Sequence, residues 1–245
     1  MTRYKLVIEY DGTDYCGWQK QDDVSTIQGE IEQALRDLNG GQRVVLHGAG
    51  RTDSGVHAYA QVAHFDLESE YTAESIQNAI NAKTGHDIAI LSCQKVDSNF
   101  HSRFHAVKRH YTYKIRQRVT ALGRKYHWII FHELDTNLLD KCAELIKGRH
   151  NFEGFCKTSD EANSKVCKIH KSVWKSSQKT LTYEICGDRF LHSMVRILTG
   201  TMVEVARGRY QYQDFVDIFG RREDRKDIFK APAKGLFLSK VEYEI

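Results

Sequence analysis

The sequence has a single proline, Pro232, and three methionines in 245 residues. So little proline excludes collagen-like and proline-rich linker classes, and no low-complexity tract separates one part of the chain from another. No stretch reaches the ~20 consecutive apolar residues of a membrane-spanning helix. The first residues, MTRYKLVIEYDGTDY, meet charge at Glu9 and Asp11, so they offer no signal h-region. The six cysteines (Cys16, Cys93, Cys142, Cys156, Cys167, Cys186) are scattered, and no two stand two residues apart. That usage excludes a zinc ribbon and suits the reduced thiols of a cytoplasmic protein better than a disulfide framework. A large excess of either charge is missing too. Thirty-six Lys+Arg against 32 Asp+Glu leave +4, which permits a polyanionic partner without demanding one.

What is present is a globular mixture, 41% hydrophobic and 11% aromatic, in a chain long enough to bury a substantial core. Basic residues gather at 103–118 (RFHAVKRHYTYKIRQR), 165–175 (KVCKIHKSVWK) and 221–234, the first two interleaved with aromatics. Such segments suit phosphate neutralisation and base stacking, and equally suit solvated strand faces. The run 221–227 (RREDRKD) mixes signs and reads as surface.

Alternation at 3–10 and 109–118, and short apolar or β-branched runs elsewhere, predict strands at 3–10, 43–46, 60–65, 88–95, 109–118, 166–174, 180–186 and 235–243. Helical spacing predicts helices from Ser25, with Gln28 completing a capping box, through Ile27, Ile31, Leu35 and Leu38 to Gly40-Gly41. Others are predicted from Thr72 with Ile76 and Ile80, over 137–147, and over 212–219. Residues 190–207 (FLHSMVRILTGTMVEVAR) are apolar on most faces, so that helix is expected inside the molecule. Hairpin-like pairs interleaved with helices favour an α+β fold. Two halves are expected, 1–104 and 105–245, with packed rather than flexible chain between them near 102–106. LVIEYDGTDY and LTYEICGDRF, each a strand running into a Gly/Asp turn, hint at a duplication.

The loop HGAGRTDSGVHA, residues 47–58, is the most unusual stretch. It fails the phosphate-loop pattern, because Val56-His57 follows Gly55 where Lys then Ser/Thr is required. It fails the dinucleotide pattern because Asp53 stands where the third glycine belongs. His101 and His105 in HSRFH lack a zincin glutamate, and no GxSxG elbow exists. A carboxylate remains. Asp53 follows Arg51 by two residues, and a nearby guanidinium holds a carboxyl ionised for nucleophilic or general-base work. Asp before Ser-Gly is also what an ordinary turn residue looks like. Arg196, inside an apolar helix, requires an anion, functional or structural. Tyr111 shares a strand face with Tyr113 and Ile115, the pattern of core packing.

YDGTDYCGWQ (10–19), GAGRTDSGVHA (48–58), FHSRFHAVKRHYTYKI (100–115), FEGF (152–155), FLHSMVRILTG (190–200) and PAKGLFL (232–238) follow one another along the chain. In this ordered set the sequence resembles the tRNA pseudouridine synthase A family, end to end. The resemblance implies a pseudouridine synthase fold of two similar α+β halves around a central, mainly antiparallel sheet with flanking helices. It implies isomerisation of uridine to pseudouridine at positions 38, 39 or 40 of the tRNA anticodon stem-loop, without cofactor or metal, by a homodimer. Asp53 would be the catalytic aspartate, Tyr111 would stack on the uracil, and Arg196 with Arg51 would pair with the aspartate. The rival is a tRNA-binding module that has lost its activity. One departure stands out: His192-Ser193 precedes Met-Val-Arg where the family more often ends the pair in His or Asn.

Overall fold

The computed structural model describes residues 1–68, 70–156, 164–220 and 228–244. They form two compact units, residues 1–107 with 237–245, and residues 108–236. The run 221–227, read as surface from its mixed charge, lies outside the described residues.

In the first unit, β1 (Thr2–Tyr10) buries Tyr4, Leu6, Ile8 and Tyr10 at alternate positions, as period two requires. The chain continues through α1 (Ile27–Leu38), the two-residue β2 (His47–Gly48), β3 (His57–Leu67), α2 (Ala73–Lys83) and β4 (Ile88–Lys95). β1 lies between β4 and β3, antiparallel to both. β3 is bordered on its far side by β10 (Leu236–Tyr243), which runs parallel with Phe237 opposite His57 and Leu238 opposite Ala58. Ile27, Ile31 and Leu35 of α1 and Ile76 and Ile80 of α2 supply the helical side of the core.

Two local expectations change. The N-cap of α1 is Thr26, whose hydroxyl accepts from the Gly29 amide, not Ser25. Gln28 is thereby released from capping, and its Nε2 donates to Glu32 and to the Leu46 carbonyl. The second change follows from the first. Residues 43–46 form no strand, because side chains of α1 take the place of a neighbouring strand: the Leu46 amide donates to Glu32 Oε1 at 3.0 Å.

The second unit contains β5 (Ala106–Arg116), β6 (Trp128–Ile129), α3 (Thr136–Leu145), β7 (Gly148–Asn151), β8 (Val166–Ser177), β9 (Thr180–Gly187), α4 (Met194–Ala206) and α5 (Tyr212–Phe219). Its sheet order is β5-β9-β8-β7, antiparallel throughout, with β6 parallel to β5 at one end. Twelve of the 13 residues of α4 are buried, Arg196 being the exception, so the expected internal helix is observed. In the basic segment 165–175, Lys171 and Lys175 reach across the hairpin to Glu184 at 2.6 Å each, which makes this stretch a paired strand face. The α+β class, with antiparallel pairing dominant, is borne out.

Candidate active site

Asp53 sits on the loop between β2 and β3, and almost every peptide around it is anchored. The Ala49 amide donates to Val62 O at 2.7 Å, and Gln61 Nε2 donates to Gly50 O at 2.8 Å. Trp18 N donates to Thr52 O at 3.1 Å, and the Tyr10 and Thr52 hydroxyls share a buried hydrogen bond of 2.8 Å. A turn closes over the aspartate, with Val56 N donating to Asp53 O at 3.1 Å and Gly55 at φ +74°. That φ is open to glycine at no steric cost. The Ser54 hydroxyl and the Gly55 amide both donate to Tyr15 O, at 3.2 and 3.4 Å.

Most of these anchors come from residues 10–18, the YDGTDYCGW stretch. Two glycines there allow the approach. A β-carbon on Gly12 would lie 2.0 Å from Val56 O, and one on Gly17 would lie 2.7 Å from Thr52 O. From the other side, Gly48 leaves space that Trp18 fills, its Nε1 2.6 Å from where a β-carbon would stand. The two motifs, some 40 residues apart in sequence, are thus one structure that fixes the Asp53 backbone. Each hydrogen bond contributes about 1 kcal/mol, and their sum confines the loop to one arrangement. Asp53 is half-buried and Arg51 exposed.

His57, at the exit of the loop, went unnoticed in the sequence. It is 1% exposed, and its ring stacks on Phe237 at 4.8 Å. Its Nδ1 lies 3.0 Å from Asp11 Oδ1 and 3.1 Å from Gly12 N. The Gly12 amide donates to this nitrogen, which ties the ring to the chain just after β1. The signal was there in the apolar setting of GVHA, where a buried imidazole must find a partner.

Tyr111 and Arg196 belong to the second unit. Tyr111 is 8% exposed and meets Phe190 edge-on at 5.2 Å, on the strand face it shares with Tyr113 and Ile115. Arg196 Nε donates to Ala231 O at 2.9 Å while Ala231 N donates to Arg196 O at 3.0 Å, a reciprocal clamp between α4 and the chain before Pro232. Gly200 makes this approach possible, since a β-carbon there would lie 2.2 Å from Phe229 O. Tyr113 is fully buried, donates to Pro232 O at 2.8 Å and packs against Gly235; burial pushes its hydroxyl pKa well up. FLHSMVRILTG is thus locked to residues 229–231, just before PAKGLFL, and PAKGLFL is locked to Tyr113 of β5. Ser193, the departure noted above, has left-handed backbone at φ +60°, a region that Asn and His enter more readily than Ser.

Among the described residues no group of three or more His, Cys, Asp or Glu is arranged to hold a metal ion, and all six cysteines are free thiols. No helix there is long and apolar enough to cross a membrane.

A family model described as tRNA pseudouridine synthase matches residues 6–105 and 142–244, spans that include all the interlocked glycines. With this match, fold and loop define an RNA-modifying isomerase. Curated relatives cover the chain from end to end. A tRNA pseudouridine synthase A from Afipia carboxidovorans is 40% identical over 99% of this chain and 100% of its own. One from Listeria welshimeri is 37% identical over the whole of both chains. One from Bartonella henselae is 38% identical over 99% of this chain and 100% of its own. The chain belongs to the tRNA pseudouridine synthase A family.

Proposed function

We propose that this isomerase converts uridine to pseudouridine at positions 38, 39 and/or 40 of the tRNA anticodon stem-loop, with Asp53 as its catalytic carboxylate and no cofactor. The observation that carries this reading is the double-glycine cradle: residues 10–18 hold the backbone on both sides of Asp53, so the carboxylate is positioned before substrate arrives.

The chemistry says why a fixed carboxylate is required. The uracil must leave through N1, turn, and rejoin the ribose through C5. It is first drawn out of its stack, at a cost of a few kcal/mol. Stacking on Tyr111 offsets part of that cost. Asp53 then attacks the ring or the sugar, or removes a ribose proton to give a glycal; each route needs an ionised carboxylate. A base must finally take the proton from C5, and Asp53 serves there too. Arg196 and Arg51 keep the carboxylate charged in this reading. The protein acts as a cytoplasmic homodimer whose basic surfaces grip one tRNA arm, mainly through phosphates.

The test is tritium release from tRNA labelled at uracil C5. The parent protein releases label and Asp53→Asn does not, while both bind tRNA. Turnover by the Asp53→Asn protein would overturn the assignment.

A further inference from the structure

The segment after β4 that leads into β5 carries a surface feature separate from the Asp53 loop. Phe104 is a large aromatic side chain left 74% exposed. The His101 ring lies against it, centroids 4.3 Å apart at 32°, and the Arg103 guanidinium lies over it at 5.9 Å. Behind His101 the array continues inward. His64 meets His101 edge-on at 4.6 Å and stacks on His47 at 4.9 Å and 22°.

The loop beneath is built rather than loose. His101 Nδ1 lies 3.2 Å from the Arg103 amide and 3.3 Å from the Phe104 amide, accepting from both. His101 N donates to His105 Nδ1, and Ser102 N donates to the buried His64 Nδ1 at 3.2 Å. Accepting on Nδ1 fixes His101 as a neutral ring, and burial, followed by His47 and Arg3, also lowers its pKa. A neutral imidazole stacks without a charge to desolvate. Exposing a phenylalanine to this extent forfeits most of the stabilisation its burial would bring. Here the forfeited ring is held rigid, π face beside a cation.

We propose that His101, Arg103 and Phe104 form a stacking platform for an unpaired nucleotide of the tRNA, with Phe104 against the base and Arg103 on the adjoining phosphate. Exposed aromatic, guanidinium and neutral imidazole are the chemistry with which proteins hold single-stranded RNA irrespective of base identity. The platform joins the Asp53 loop through β2, since His47 begins the strand that enters it. It rests on the reading that this chain acts on tRNA. It adds a contact that holds a nucleotide other than the one isomerised.

The experiment measures binding of a fluorescent, unmodified tRNA transcript by anisotropy, in the Asp53→Asn background so that turnover does not intervene. Phe104→Leu keeps an apolar side chain and loses the π face, and it should weaken binding about tenfold. Phe104→Trp should restore affinity to within about twofold of the parent. Arg103→Gln should lower the slope of log K against log salt by about one phosphate contact. Equal affinity for Phe104→Leu and parent would overturn the platform and leave the surface to a protein partner. So would a Trp variant as weak as Leu. Failure of the parent to release tritium from C5-labelled tRNA would instead overturn the proposed function, and the binding measurement is independent of it.

Discussion

Gly12 and Val56 meet backbone to backbone: a β-carbon on Gly12 would stand 2.0 Å from the Val56 carbonyl oxygen. Both neighbours are main chain, so no side chain can swing aside to relieve the clash. Gly12→Ala should cost about 1–3 kcal/mol in urea unfolding and, on the role proposed for Asp53, lower isomerisation at least tenfold, because the turn carrying that residue has to move. Gly50 is the internal control. A β-carbon there meets nothing within 4 Å, so Gly50→Ala should unfold within about 0.5 kcal/mol of the parent. Equal losses for the two variants would show that the close approach is not what matters.

Glu32 is a buried carboxylate with a full set of donors: Gln28 Nε2 at 2.8 Å, Leu46 N at 3.0 Å and Lys20 Nζ at 3.1 Å. Removing it leaves the buried Leu46 amide without its acceptor and Gln28 Nε2 with the Leu46 carbonyl in place of two. Glu32→Ala is therefore expected to destabilise by about 2–4 kcal/mol. Chemical denaturation decides this, and a change under 1 kcal/mol would mean that residues 43–46 find other partners.

The His64 ring is buried and neutral, its pKa pushed down to about 4 by burial, with His101 and His47 adding to the effect. In the unfolded chain the same ring titrates near 6.5. Below that pH the unfolded state binds a proton that the folded state refuses, so stability is fully present above about 6.5 and drains away as pH falls toward 4. The loss amounts to about 3 kcal/mol. Urea unfolding at pH 7 and pH 5 should differ by about 2 kcal/mol of that loss, and a His64→Gln protein should show a flatter profile over that interval. Parallel profiles for the two proteins would exclude His64 as the source.

Arg196 uses Nε for the Ala231 carbonyl, a bond that lysine cannot make from the same position. Arg196→Lys should cost about 1–2 kcal/mol in stability and, on the proposed role, reduce tritium release by at least tenfold beyond what unfolding explains. Full activity at a temperature where the variant is folded would remove Arg196 from the catalytic assignment.

Elements governed by local patterning were legible in the sequence. The strand Ile88–Lys95 and the helix Tyr212–Phe219 fall where their periodicity puts them, and Thr72 caps its helix as expected. Errors arose where distant side chains intervened. Residues 43–46 (RVVL) are apolar and β-branched like a strand, but Glu32 and Gln28 satisfy the Leu46 backbone from a helix, a contact that no local window contains. The parallel pairing of Phe237 with His57 was invisible for the same reason, although the strand itself was read correctly. In the candidate site, Asp53 was picked out by elimination among chemistries. The role of Gly12 and Gly17 was not, because sequence shows that a glycine is present and not what crowds it.

The pairing of β10 with β3 bears on how the chain is made. His57, at the exit of the Asp53 loop, rests against Phe237, so the first unit cannot complete its sheet until all of residues 108–236, the second unit, have been made. A contact of such long range is closed late and slowly. Nascent chains therefore carry an unsealed edge beside the loop throughout synthesis of the second unit.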